Sequence, residues 1–135
     1  MNTNQSTNEP LPTNRFAQAS IGKAKYINSD YLLEISDGNP DFIHIFLSTF
    51  NEEIKRSLAN LQNQLQNNDF LLMERTAHAM KPNGVYVGSY PLTLLVGLLE
   101  KAAHAMDRGE VTRLIPQIQN LAENILKEID EYFQG

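Results

Sequence analysis

The fold is decided by residues 42–65, which read FIHIFLSTFNEEIKRSLANLQNQL. Apolar side chains recur here at spacings of three and four residues, the period of an α-helix with one buried face. The predicted stripe consists of Phe42, Ile43, Phe46, Leu47, Phe50, Ile54, Leu58, Leu61 and Leu65. Pro40 suits the first turn of this helix, and Asn67-Asn68 mark its end. A long amphipathic helix therefore forms one side of the core.

Similar stripes predict three more long helices downstream. One covers residues 70–87, and a second covers residues 91–106 and is closed by Arg108-Gly109. The stripe of the second is Leu92, Leu95, Leu99, Ala102 and Met106. The last helix starts near Glu110, and its stripe is Leu114, Ile118, Leu121, Ile125 and Ile129. Pro116 lies inside that pattern and is expected to kink the helix or mark a restart.

A shorter helix is predicted upstream, where Asn28-Ser29-Asp30 can cap a segment that carries Tyr31, Leu32, Leu33 and Ile35. The short connections between the long helices favour antiparallel neighbours. We therefore predict an all-α fold, an up-down-up-down antiparallel four-helix bundle preceded by this short N-terminal helix. The domain is expected to cover residues 23–135, after a flexible polar tail over residues 1–22 that is rich in Asn, Thr, Gln, Ser and Pro.

Composition narrows the functional classes. The 135 residues, 41% of them hydrophobic, suffice for one domain, and the absence of cysteine excludes a disulfide framework or a thiolate metal site. A net charge of -5 without a basic stripe argues against nucleic-acid binding. No apolar run approaches the length of a membrane span, and the first residues lack the features of a secretion signal. We expect a cytoplasmic protein.

One histidine stands apart from the helical stripe of residues 70–87. The core side of that helix is formed by Phe70, Met73, Ala77, Met80, Gly84 and Val87. At about 100° per residue, His78 points to the opposite side. We therefore expect its imidazole to face water.

Charged and apolar residues surround His78 on the same side of the helix. Arg75 and Lys81, three residues before and after it, would form a cationic rim. Leu71, Val85 and Tyr86 would leave an apolar patch beside the ring, which suggests a docking site. An exposed imidazole is largely neutral near pH 7, and positive charge could balance the oxygens of an incoming phosphoryl group. The chemistry indicated is phosphoryl acceptance.

The chain resembles the histidine-containing phosphotransfer (HPt) domains of bacterial two-component phosphorelays across most of residues 31–129. Residues 31–43, YLLEISDGNPDFI, are similar to the opening segment of that family, and residues 76–81, TAHAMK, are similar to its phosphoacceptor motif. Gly88 and Leu98-Leu99-Glu100 follow at family-like distances.

The resemblance implies that His78 accepts a phosphoryl group from a receiver-domain phosphoaspartate or a kinase relay and passes it to another receiver aspartate. Lys81 would steady the phosphate. The partners implied are response-regulator receiver domains and a hybrid sensor histidine kinase, and any Mg²⁺ would belong to the receiver. The chain itself would need no cofactor and would be a stoichiometric carrier rather than an enzyme, in agreement with its lack of a nucleotide-binding glycine loop.

Two positions depart from the family pattern, which commonly has glycine four residues after the histidine and a small residue after that. Here these positions are Pro82 and Asn83. Pro82 cannot donate to the carbonyl of His78, so the helix is expected to bend or open beside the acceptor, while the compact ring still permits a receiver to approach. Gly84, on the core side, is predicted to allow close helix packing.

An alternative reading is a non-catalytic helical adaptor that binds receiver or kinase domains through the same face. A kinase or hydrolase is less favoured, because no ATP-binding module or nucleophile and base pair is evident. Neither His44 nor His104 has basic residues both three positions before and three positions after it, and both are expected to be structural or solvated. No metal site is predicted, since the three histidines are widely separated. We expect a monomer.

Overall fold

A computed structural model describes residues 25–134, and within them the chain forms five helices. These are α1 (Ser29–Ile35), α2 (Pro40–Gln66), α3 (Phe70–Tyr86), α4 (Tyr90–His104) and α5 (Arg108–Gln134). The predicted tail over residues 1–22 lies outside the described residues, as does Gly135. The division of the chain into a tail and a domain therefore stays a prediction.

The four long helices form the predicted bundle. Packing joins α2 to α3, α3 to α4, α4 to α5, and α5 back to α2, so each long helix contacts two others. The core between them is apolar, and its largest fully buried side chains are Phe50, Leu32, Ile43, Leu47, Ile54, Leu61, Met73, Met80, Leu92, Leu99, Leu114 and Ile115. The all-α fold class is confirmed.

Two members of the predicted stripes are not in the core. Phe42 lies in the first turn of α2 and is 51% exposed, because its neighbour Ile43 occupies the buried side of that turn. Met106 follows the end of α4 and is 69% exposed. Its φ of 54° shows that the chain has already turned out of the helix there. Helical spacing alone does not distinguish a terminal residue from an interior one.

The end of α4 and the start of α5 also differ from the prediction. Arg108 and Gly109 do not close α4, which ends at His104; they are the first residues of α5. The reason is a capping contact, in which the Asp107 carboxylate accepts a hydrogen bond from the Glu110 N–H at 3.1 Å. Pro116 does not mark a restart, because α5 continues through it.

The segment before α1 is held against the bundle by two sets of contacts. The carboxylate of Glu128 accepts hydrogen bonds from the backbone N–H groups of Lys25, Tyr26 and Ile27, at 2.9 Å for Ile27. Asn28 N–H donates to the carbonyl of Val87 at 3.0 Å. These contacts fix the N-terminal segment at the end of the bundle where α3 turns into α4. No helix of the described range has the length and apolar character needed to cross a membrane.

Candidate functional site

The position of His78 follows from how α3 is built. The carboxylate of Asp69 caps this helix by accepting from Leu72 N–H at 3.1 Å. The buried face consists of Met73, Ala77, Met80, Asn83 and Gly84. His78 projects on the other side with its side chain 71% exposed. The outward orientation expected for the imidazole is therefore observed.

The carboxylate of Glu100 on α4 contacts two basic side chains, His78 and Lys81, which lie next to each other on α3. Glu100 Oε2 lies 2.8 Å from His78 Nδ1, and Glu100 Oε1 forms an ion pair with Lys81 Nζ. The Glu100 side chain is only 20% exposed, whereas that of Lys81 is 43% exposed. The cationic rim predicted around His78 is thus partly neutralised by Glu100. Glu100 was singled out in the sequence only as part of a family-like segment, without a function.

The electrostatics of Glu100 follow from these contacts. The hydrogen bond from Lys81 is the main reason that the pKa of Glu100 lies below its ordinary value. Burial raises the pKa and partly opposes that effect, and the contact with His78 lowers it further. Glu100 is therefore an ionised acceptor at neutral pH.

This contact defines the tautomer of a neutral His78 ring. An ionised carboxylate can only accept hydrogen bonds, so the ring must donate its Nδ1–H to Glu100. The lone pair of a neutral ring then resides on Nε2. Among residues 25–134, no hydrogen-bond partner is found for His78 Nε2. In a neutral ring, this arrangement leaves the unprotonated nitrogen at an exposed position.

The residues predicted to form a docking patch surround the ring unequally. Leu71 is 57% exposed and Val85 is 49% exposed, and Pro82 is exposed between them. Tyr86 is half-buried, because its ring stacks on Phe46 of α2 with centroids 6.4 Å apart. The structure thus brings Leu71, Pro82 and Val85 to the surface around His78 and turns Tyr86 towards α2.

A shallow groove lies beside the imidazole between α3 and α4. It has a volume of about 450 Å³ and is lined by Leu71, Glu74, Arg75, His78 and Glu100. The exposed Arg75 side chain thus reaches the same opening as His78. The groove gives an approaching group access to the ring from the side that carries this arginine.

The exposed apolar surface around His78 continues onto α4. This continuation was not predicted from the sequence. Leu94 is 48% exposed and Leu98 is 40% exposed, and both line a second groove of about 280 Å³ together with Lys81, Gly97 and Glu100. The helical period of the sequence could have predicted that these two leucines are exposed. Neither leucine belongs to the predicted core stripe of α4, so both were outward-facing by helical period.

The residues after His78 affect local packing more than helix continuity. Pro82 does not end α3, which continues to Tyr86. Asn83 is buried. The predicted packing role of Gly84 agrees with the structure, because a Cβ there would lie 3.0 Å from Thr93 N and 3.1 Å from Ser89 O.

The other histidines differ in their surroundings. His44 is exposed, and its ring lies 4.7 Å from the ring of Phe133, between centroids. His104 is also exposed and contacts Glu74. In the described part of the chain, no three His, Asp or Glu side chains are grouped so that they could hold a metal ion.

Comparison with known proteins supports the same fold. The solved structure of histidine-containing phosphotransfer protein B (HptB) from Pseudomonas aeruginosa PAO1 matches with a TM-score of 0.75 and 21% sequence identity, over 83% of this chain and 97% of that chain. No curated protein matches the sequence. The Hpt domain family matches residues 45–131, a range that covers more than half of the chain and includes His78. The chain therefore belongs to the Hpt domain family, whose members are phosphocarriers with a histidine phosphotransfer role in phosphorelays and interact with receiver and kinase domains.

Proposed function

We propose that His78 is the phosphoacceptor of this Hpt domain and that Nε2 is the atom that carries the phosphoryl group. The observation that supports this proposal most strongly is the contact of His78 Nδ1 with Glu100 Oε2 at 2.8 Å, on a side chain that is 71% exposed. The contact leaves Nε2 as the nucleophilic nitrogen of a neutral ring, and the exposure makes it reachable.

The proposed transfer begins with a phosphoaspartate of a receiver domain. The Nε2 lone pair attacks phosphorus, an N–P bond forms, and the P–O bond of the acyl phosphate breaks. The receiver aspartate leaves as a carboxylate. The Nδ1 proton stays in the hydrogen bond to Glu100, which offsets the positive charge that develops on the ring. Attack by an aspartate of another receiver reverses these steps.

Glu100 acts in this proposal as a positioning residue, because it orients the ring and selects its tautomer. Lys81 has two functions. Its ion pair keeps Glu100 ionised, and its ammonium lies on the side of α3 where the phosphoryl oxygens would gather. Arg75 supplies a second positive charge at the groove beside the ring.

The partners proposed are receiver domains and a hybrid sensor histidine kinase. Docking would use Leu71, Arg75, Pro82, Val85 and the exposed edge of Tyr86, since a receiver must cover the apolar surface around His78 to bring its aspartate to Nε2. Mg²⁺ and the acidic residues that bind it would come from the receiver. We further propose that the protein is a cytoplasmic monomer.

A transfer assay tests this function. A receiver domain charged with ³²P-phosphoaspartate is mixed with the wild-type protein, His78→Gln and, as a matched control, His44→Gln. We expect an acid-labile, base-stable label on the wild type and on His44→Gln, and none on His78→Gln, with all three equally helical by circular dichroism. If several active receivers bind the wild type and none labels it, the proposal is wrong and the protein is a non-catalytic adaptor.

A further inference from the structure

A second histidine on the same pair of helices has the same kind of contact as His78. His104 Nδ1 lies 3.0 Å from Glu74 Oε2. The His104 side chain is 78% exposed, and that of Glu74 is 30% exposed. The corresponding values for His78 and Glu100 are 71% and 20%. The two pairs are therefore similar in geometry and in solvent access.

A single alignment of α3 against α4 produces both histidine–glutamate pairs. Glu74 and His78 are four residues apart and share a face of α3, as Glu100 and His104 do on α4. Because these helices are antiparallel neighbours, aligning His78 with Glu100 also aligns Glu74 with His104. The two pairs have opposite polarity: α3 supplies the histidine of the first pair, and α4 supplies the histidine of the second.

The chemical consequence for His104 follows as it does for His78. An ionised Glu74 can only accept, so a neutral His104 ring donates Nδ1–H and keeps its lone pair on Nε2. Among the residues that the structure describes, no hydrogen-bond partner is found for His104 Nε2. His44 has an exposed ring without such a carboxylate contact within the same residues. It provides an internal comparison.

We propose that His104 is a second phosphoacceptor of this protein, which takes a phosphoryl group on Nε2 from small phosphoryl donors such as acyl phosphates and phosphoramidate. With phosphoramidate, the N–P bond to ammonia breaks as the bond from Nε2 to phosphorus forms, and ammonia leaves. The Nδ1 proton of His104 remains in the hydrogen bond to Glu74. The proposal rests on the geometry of this pair and does not require that His78 be the acceptor for receivers.

His104 should react more slowly than His78. Lys81 pairs with Glu100 and adds a positive charge beside the first acceptor, whereas in residues 25–134 no lysine or arginine forms an ion pair with Glu74. An exposed ion pair of this kind contributes little to stabilising the transition state. We therefore expect phosphorylation of His104 to be only roughly fivefold slower than that of His78.

The test uses phosphoramidate as the only donor and maps the modified histidine by mass spectrometry under neutral conditions. In His78→Gln, we expect labelling at His104 that exceeds labelling at His44 at least about fivefold. Labelling should fall to the level of His44 alone in His78→Gln/His104→Gln, and labelling of His104 should persist in His78→Gln/His44→Gln. Absence of label in a folded His78→Gln protein, or equal labelling of His44 and His104, would overturn the proposal.

A second variant isolates the carboxylate. In the His78→Gln background, Glu74→Gln should slow labelling of His104 and leave that of His44 unchanged, whereas an unchanged rate at His104 would contradict the assigned role of the pair. The result is distinguishable from failure of the proposed relay function, because that function is measured with a receiver donor on a chain that retains His78.

Discussion

His78 and Glu100 are 22 residues apart in the chain, and His78 Nδ1 and Glu100 Oε2 lie 2.8 Å apart across the contact between α3 and α4. In the proposed mechanism, this relationship couples the reactivity of the ring to the packing of two helices. A change that shifts α4 along α3 would move the carboxylate away from Nδ1, even if His78 stayed fully exposed.

Glu100→Gln tests the positioning role. The amide can still contact Nδ1, but it loses the negative charge and no longer requires the ring to be the donor. We expect phosphoryl transfer from a receiver to His78 to slow by about tenfold or more, with little change in receiver affinity. Glu110→Gln, which removes an exposed carboxylate paired with Arg113 on α5, is the matched control and should transfer at the wild-type rate. Equal rates for the two variants would contradict the role of Glu100.

The pH dependence of Glu100 gives a second prediction. Because the folded-state pKa of Glu100 is lowered, mainly by Lys81, its contribution to stability is present above the ordinary glutamate value of 4.5 and is lost as the pH falls through the lower folded value. NMR titration of the Glu100 side-chain carboxyl should give a midpoint below 4.5. Lys81→Met should raise that midpoint, and an unchanged midpoint in this variant would show that the ion pair is not its cause.

The packing of α3 against α4 can be tested at two glycines. Gly84→Ala would place a methyl group against Thr93 and the Ser89 carbonyl, and we expect it to reduce the free energy of unfolding by about 1–3 kcal/mol. A Cβ at Gly97 would meet nothing within 4 Å, so Gly97→Ala should be neutral or stabilising by up to about 1 kcal/mol. Urea denaturation of both variants measures the difference, and equal stabilities would contradict the close approach at Gly84.

These glycines also show what could and could not be predicted from the sequence. Apolar spacing sufficed for the helices and for the outward direction of His78, because both depend on the helical period alone. The pairing of His78 with Glu100 depends on the register between two helices, which is fixed by tertiary packing such as the contact of Gly84 with the start of α4. The misplaced start of α5 has a local cause, since the prediction treated Gly109 as a helix end and did not consider Asp107, which caps α5 in the structure.

Substitutions at two adjacent leucines on α4 distinguish an effect on receiver docking from an effect on stability. Leu99 is fully buried, and Leu99→Ala should reduce the free energy of unfolding by about 2–5 kcal/mol while the folded fraction still accepts phosphate. Leu98 is 40% exposed beside the site, and Leu98→Ala should change stability by less than about 0.5 kcal/mol. It should instead weaken receiver binding about threefold or more, measured by titration calorimetry. Wild-type receiver affinity in Leu98→Ala would exclude this part of α4 from the interface.

The most direct test of the central claim is to identify the phosphorylated atom. After transfer from a receiver, long-range ¹H–¹⁵N and ³¹P spectra of the uniformly ¹⁵N-labelled protein distinguish the two ring nitrogens of each histidine. We predict a single N–P linkage at Nε2 of His78, with Nδ1 still protonated. A linkage at Nδ1 of His78, or at another residue, would contradict the account.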